Sequence, residues 1–349
     1  VVRLLQREGI AYVAIEDAMR TRNFVQSLNE ALFAATLEPV FSDPDNRYGH
    51  LDIYRVPQGA VRDNELAIPG PTPIPVSMRT GGRGAGPGQF VDPRGIAVAP
   101  SGEILVADAG NHRIQRFTAD GTFIASVGGK GSQPGRFNEP SGIAVDSRGH
   151  VYVADAANHR LQELDASLAF VRAWAGPEPG FYGPRDVAVG SDDTVYVLDQ
   201  GHARVARMTR HGTITTFGSF GAGPGQLDDP TGLAVAGNQV FVADPGHGAV
   251  QVFGTDGQFV RSIPVGDWSS RTSTADVAVT ADGRRLYASS PGLNLVLVIP
   301  LAGGTPGSLQ PTGAEALLRP SALALRADGQ LLVVSFDAPR VSILPPPGP

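Results

Sequence analysis

Short apolar runs alternate with polar turns in one fixed order along most of the chain. A loop rich in Gly and Pro comes first, as in GAGPGQFVDP (84–93), QPGRFNEP (133–140) and GAGPGQLDDP (221–230). A short apolar run follows: GIAVA, GIAVD, DVAVG, GLAVA, DVAVT and ALALR. A tight polar turn comes next, such as PSGE, SRGH or ADGR, where Gly supplies the positive φ of a hairpin. A second, β-branched run leads into a repeated phrase, VADAGNHRIQRF, which returns as VADAANHRLQEL, VLDQGHARVARM and VADPGHGAVQVF. Two eroded copies, ASSPGLNLVLVI and VVSFDAPRVSIL, complete the series. A third run lies within the phrase, and a fourth (FIASVG, FVRAWAG, TITTFG) leads into the next unit. Each unit therefore predicts four short strands, and no segment of this region has a helical period.

The anchor position of the phrase is Asp108, Asp155, Asp199, Asp244, Ser290 and Ser335, spaced by 47, 44, 45, 46 and 45 residues. Four antiparallel strands at this period describe a propeller blade. The expected fold is mainly β: a six-bladed β-propeller over residues 74–349. The last unit has three strands (SALALR, LLVVSF, RVSIL). The missing fourth is expected from residues 74–80, pairing with 340–344, which closes the ring and removes its open edges.

Residues 1–57 follow a different pattern. IAYVAI (10–15) reads as a buried strand, and 21–35 carries Phe24, Leu28 and Leu32 on one helical face. LEPVFSD (37–43) and HLDIYRV (50–56) read as two more strands, giving a small β-α-β-β unit. Residues 58–73 are a proline-bearing linker. The chain begins VVRLLQREG without methionine. Arg3 to Arg7 read as the end of a helix stopped by Gly9, so a targeting or membrane segment is expected upstream.

The repeated phrase resembles the NHL repeat, whose form is P-x-G-I-A-V-D followed by V-A-D-x-x-N-H-R-I-Q. The first two units match at Pro93, Gly95, Asp108, Asn111, His112 and Arg113, and at Pro140, Gly142, Asp155, Asn158, His159 and Arg160. Units three and four match in part, and the last two keep only the strands. The resemblance implies the propeller fold. It leaves function open, because such propellers serve as enzymes, RNA binders, sensor heads and scaffolds. The N-terminal segments Gly9-Ile10-Ala11-Tyr12-Val13 and Tyr48-Gly49-His50-Leu51-Asp52-Ile53-Tyr54-Arg55-Val56 resemble the soluble tail of bacterial membrane glycosyltransferases related to protein mannosyltransferases. That likeness implies an extracytoplasmic module tethered to a larger membrane protein, with a glycan partner.

Composition narrows the classes. A chain of 349 residues with 42% hydrophobic and 18% charged residues is globular, with a core of ample size. The absence of cysteine excludes disulfides, thiolate nucleophiles and Cys-based zinc sites. The net charge of −6 argues against generic nucleic-acid binding, so no nucleic-acid partner is expected. No apolar run approaches the roughly 18 residues of a membrane span. GGRGAGPG (81–88) precedes a strand, not a helix, so it is no dinucleotide loop.

Three sets of residues carry candidate chemistry. Arg113, Arg160, Arg204 and Arg340 share one repeat position, and Arg94 and Arg185 lie on channel-side loops. Together they could form a cationic crescent for a protein, a glycan or another anionic ligand. The structural alternative is that the anchor acids Asp108, Asp155, Asp199 and Asp244 hold their own turns while each Arg pairs with its Asp or a neighbouring blade. His112, His159, His202 and His247 fall one per unit. In the resemblance family, peptide-amidating lyases hold zinc with histidines from several blades. Equivalent atoms of adjacent blades should, however, lie on the order of 10 Å apart, too far for one ion. No cofactor is expected, a zinc or calcium ion at the channel being the lesser alternative. Asp186 and Asp276 replace the Gly of P-x-G at the channel mouth, where two carboxylates could bind a cation or act as acid and base. The expected function is a non-catalytic binding or sensing module. The alternative is a secreted lyase or hydrolase, metal-dependent, with its site in the channel.

Overall fold

The structure, a computed structural model, describes residues 12–15, 38–42, 52–55, 72–73, 76, 78–265, 268, 274–311 and 316–346. The chain divides into two compact units, Val1–Glu65 and Leu66–Pro349. In the first, β1 (Tyr12–Ile15), β2 (Glu38–Ser42) and β3 (Asp52–Arg55) form an antiparallel sheet with β3 in the centre. The helix expected over 21–35 lies outside the described residues.

The second unit is a ring of antiparallel blades. After β4 (Thr72–Pro73) and β5 (Met78–Gly81) come four blades in chain order. Blade 1 holds β6 (Pro93–Val98), β7 (Ile104–Asp108), β8 (Arg113–Phe117) and β9 (Phe123–Gly128). Blade 2 holds β10 (Pro140–Val145), β11 (Val151–Asp155), β12 (Arg160–Leu164) and β13 (Phe170–Trp174). Blade 3 holds β14 (Pro184–Val189), β15 (Val195–Asp199), β16 (Arg204–Met208) and β17 (Ile214–Phe217). Blade 4 holds β18 (Gly232–Ala236), β19 (Gln239–Asp244), β20 (Ala249–Gly254) and β21 (Phe259–Pro264).

Blade 5 runs β22 (Val277–Val279), β23 (Arg285–Ser290), β24 (Leu295–Pro300) and β25 (Gly307–Gln310). It gains β4 as a parallel fifth strand, so the last two residues of the expected linker join a sheet. Blade 6 has β26 (Pro320–Leu325), β27 (Leu331–Ser335) and β28 (Arg340–Leu344). Its outer strand is β5, with Val341 opposite Thr80 and Arg340 opposite Gly81. The ring is thus closed by N-terminal chain, as the strand count required. The innermost strands touch in the order β6, β10, β14, β18, β22, β26 and back to β6.

The core lies between blades. The second strands β7, β11, β15 and β27 are buried along their whole length, which is why they read as continuous apolar runs. Each loop leading to an inner strand drops one large side chain between its own blade and the one before. These are Phe90, Phe137, Phe181, Leu227, Trp268 and Leu317, all buried. The same loops, with the turns that follow each second strand, form one face of the ring. Among the described residues no helix is long and apolar enough to cross a membrane.

Candidate functional site

The repeated phrase builds a clasp. Asp108, with no solvent exposure, accepts the Val91 N–H on Oδ1 at 2.8 Å. Its Oδ2 accepts Asn111 Nδ2 at 2.9 Å, Arg113 Nε at 2.8 Å and Gln115 Nε2 at 3.0 Å. The Arg113 guanidinium then donates to the carbonyls of Ala85, Gly86 and Gln89. Arg160 repeats this with Asp155 and the carbonyls of Ser132, Gln133 and Arg136. Arg204 does so with Asp199 and the carbonyls of Glu178, Pro177 and Gly180. The anchor acids cap no backbone N–H of their own turns. They seize backbone upstream, 17 residues earlier in blades 1, 2 and 3, and so tie the loop entering a blade to that blade's middle. Arg113, Arg160 and Arg204 are spent in this tie. Arg340 donates to the Ala316 carbonyl, in a blade whose anchor is Ser335.

The histidines divide into two kinds. His112 and His159 stand in left-handed backbone, φ 55° and 53°, and each reaches the next blade. Their Nδ1 atoms accept the N–H of Glu139 at 3.1 Å and of Gly183 at 3.0 Å. His202 and His247 take the place of the clasp Asn and bond their own anchors, Asp199 at 3.0 Å and Asp244 at 2.5 Å. Each ring is thus engaged at its own blade or blade boundary. Among the described residues no group of three or more His, Asp or Glu could hold a metal ion. Blade 4 has Ala249 in place of the Arg, and burial pushes the Asp244 carboxyl up to about 6, against the opposing hydrogen bond to His247.

Arg94, Arg185, Asp186 and Asp276 do converge. They line a polar recess of about 50 Å³ at the channel mouth. Asp186 accepts the N–H of Val187 at 2.8 Å and, from the next blade, that of Leu233 at 2.7 Å. Asp276 accepts those of Val277 and Leu323, each at 2.7 Å. Each acid sits where the blade before it has a glycine. A Cβ on Gly142 would come within 2.4 Å of the Asp186 Cα, and one on Gly232 within 2.7 Å of the Asp276 Cα. Burial pushes Asp186 up to about 7. Asp276 is raised well above the carboxylate range by burial and by the charge of Asp186. Burial, with Arg94 beside it, lowers Arg185. Arg94 pairs with Glu139 at 3.0 Å.

Two further features were not singled out from the sequence. Tyr182, 60% exposed, stacks on His159 with ring centroids 5.5 Å apart and planes 12° from parallel. His202 flanks it at 5.9 Å and 59°. The signal lay in FYGP, where the other units read FVDP, FNEP and LDDP. At the opposite end of the channel, the far ends of the inner strands of blades 1, 2, 3 and 6 surround an open hollow of about 580 Å³.

The ring of stacked blades around a lined channel defines a six-bladed β-propeller. Residues 90–117 and 137–164 match the NHL repeat, in the first two blades of the ring. A stretch of 36 residues is 56% identical to the B-box type zinc finger protein ncl-1 of Caenorhabditis elegans, covering 10% of this chain and 4% of that protein. Solved structures of the same fold include a gluconolactonase from Xanthomonas campestris, with TM-score 0.57 and 18% identity over 80% of this chain and 99% of that one. A catalytically inactive virginiamycin B lyase from Staphylococcus aureus with quinupristin has TM-score 0.55 and 14% identity, over 89% and 96% of the two chains. Hydrazine synthase from Kuenenia stuttgartiensis has TM-score 0.53 and 16% identity, over 73% and 84%. At these identities the likeness is one of fold.

Proposed function

We propose that this propeller is a binding module that docks a glycan on its loop face. The observation that carries the reading is Tyr182, an exposed ring held in place between His159 and His202. An aromatic face immobilised before binding offers stacking area at low entropic cost. Phe220, 74% exposed, stands in the corresponding loop of the next blade. The resemblance of the N-terminal unit to glycosyltransferase tails supports a glycan partner and an extracytoplasmic setting on a larger membrane protein. The test is titration of the chain with polygalacturonate and with its neutral methyl ester, in wild type and Tyr182→Ala. Binding of either polymer that is lost in the variant supports the reading. Equal binding by the variant, or none by wild type, overturns it.

A second reading, an enzyme at the channel mouth, is favoured by the Asp186–Asp276 pair, whose raised and coupled titration is a pattern frequent at catalytic sites. The lyase and lactonase relatives in fold make a lactone or ester the substrate to try first, with turnover lost in Asp186→Asn.

A further inference from the structure

We propose that the channel mouth is a binding site for a single carboxylate group, gripped by Arg185 with help from the Thr274 hydroxyl. The proposal stands apart from the loop-face reading and rests on an account of every polar group in the recess. Both oxygens of Asp186 and both of Asp276 accept backbone N–H groups. The Thr231 hydroxyl donates to the Ala275 carbonyl at 2.7 Å, the Ser321 hydroxyl to the Pro93 carbonyl at 3.5 Å, and Arg94 is paired with Glu139. Two groups remain. Among the described residues, the Thr274 hydroxyl oxygen is buried without a hydrogen-bond partner, and no hydrogen bond or ion pair engages the Arg185 guanidinium. The Arg185 fork is thus open to an entering anion, and the buried Thr274 hydroxyl is costly to leave unpaired.

The size of the recess selects the ligand. At about 50 Å³ it is far below the several hundred Å³ of a pocket for a whole small molecule. It admits one planar head group, and a carboxylate matches a guanidinium in geometry and charge. The charges facing Arg185 are Asp186, Asp229, Asp276 and Arg94. Asp229 accepts a hydrogen bond from Gln200 at 2.9 Å. The Asp186–Asp276 pair resists carrying two charges, so at and below neutral pH it leaves the guanidinium field open to an incoming anion. As pH rises through about 7, Asp186 ionises and competes with the ligand.

The experiment uses the whole chain, labelled with nitrogen-15, and acetate as the probe against chloride at constant ionic strength. Saturable shifts are expected at the amides of Leu233 and Leu323, the reporters bonded to the two acids. Affinity should weaken about tenfold from about pH 6 to about pH 8. Arg185→Met should abolish the shifts, and Thr274→Val should weaken binding about fivefold. Should Arg185→Met fail to fold, Arg185→Lys decides, with an expected loss of about tenfold because the fork is gone. Absence of saturable shifts in wild type, or undiminished shifts in the Arg185 variant that folds, overturns the proposal. A peptide with a free C-terminal carboxylate, compared with its amidated form, separates the sources. Tighter binding than acetate, lost on amidation, identifies a partner chain, and equal binding identifies a free small acid. Tyr182→Ala should leave acetate binding intact, so failure of the loop-face reading would not be mistaken for failure of this one.

Discussion

The Asp186 carboxylate of blade 3 accepts the Leu233 N–H of blade 4 at 2.7 Å. Asp276 of blade 5 does the same for Leu323 of blade 6. Between them the stitching changes chemistry. From blade 2 the Ser141 hydroxyl bonds the Pro184 carbonyl, and from blade 4 the Thr231 hydroxyl bonds the Ala275 carbonyl. Hydroxyls thus tie blades 2 and 4 forward, and carboxylates tie blades 3 and 5 forward. Blade 1, with Gly95, has no carboxylate at that place.

The stitch depends on glycine beside each acid. Gly142→Ala would drive its Cβ into the Asp186 backbone and should destabilise the chain by about 1–3 kcal/mol. Gly292→Ala, with nothing within 4 Å of the added Cβ, should leave stability within about 0.5 kcal/mol. Urea unfolding of both variants is the measurement, and equal midpoints would contradict the packing argument.

The clasp should be structural. Arg113→Ala leaves the buried Asp108 without its cation and opens the carbonyls of the loop at 85–89. The expected loss is about 2–4 kcal/mol, below that of a fully buried pair because the Arg side chain is 15% exposed. Denaturant unfolding gives the value, and a loss under about 0.5 kcal/mol would return Arg113 to the list of free surface cations.

Blade 4 predicts a pH dependence. Folding raises Asp244 from about 3.8 to about 6, so the native state holds a proton that the unfolded state releases. Its contribution to stability is present below about pH 4 and is lost as pH rises through about 6. The full shift corresponds to about 3 kcal/mol. Asp244→Asn keeps an acceptor for the Asp228 N–H and should flatten the stability profile between about pH 4 and 7. An unchanged profile would mean that Asp244 does not carry the pH dependence.

The two channel acids should titrate as a pair. The charge of Asp186 is a named cause of the raised Asp276 value, so Asp186→Asn should lower Asp276 toward the carboxylate range. Carboxyl carbon-13 shifts followed against pH would show this. An Asp276 titration that does not move would leave burial as the sole cause.

Much of the fold was legible because each blade repeats one local solution. The anchor spacing, the hairpin turns and the missing last strand were enough to number the blades and close the ring. The choice of β5 over neighbouring residues was not, since register there depends on Arg340 meeting Gly81 across the seam. The candidate site was legible in part. Asp186 and Asp276 broke the P-x-G rule and did meet in one recess. The repeat arginines drew notice by their charge, but their donors turned inward, because an Asp with no solvent exposure lies within reach of each of three. Tyr182 was missed because a loop aromatic is ordinary until its neighbours are known.

By itself, the sequence determined which residues make strands, how many blades there are and where each turn falls, since these depend on contacts within some fifty residues. Only the tertiary structure decided which polar groups remain unsatisfied. The Thr274 hydroxyl and the Arg185 guanidinium come to line one recess from blades that are far apart in the chain, and the carbonyls that satisfy Arg113 come from a loop 24 to 28 residues away. Hydrogen-bond satisfaction is a property of what closes around a group, and in a propeller most of what closes around the channel comes from other blades.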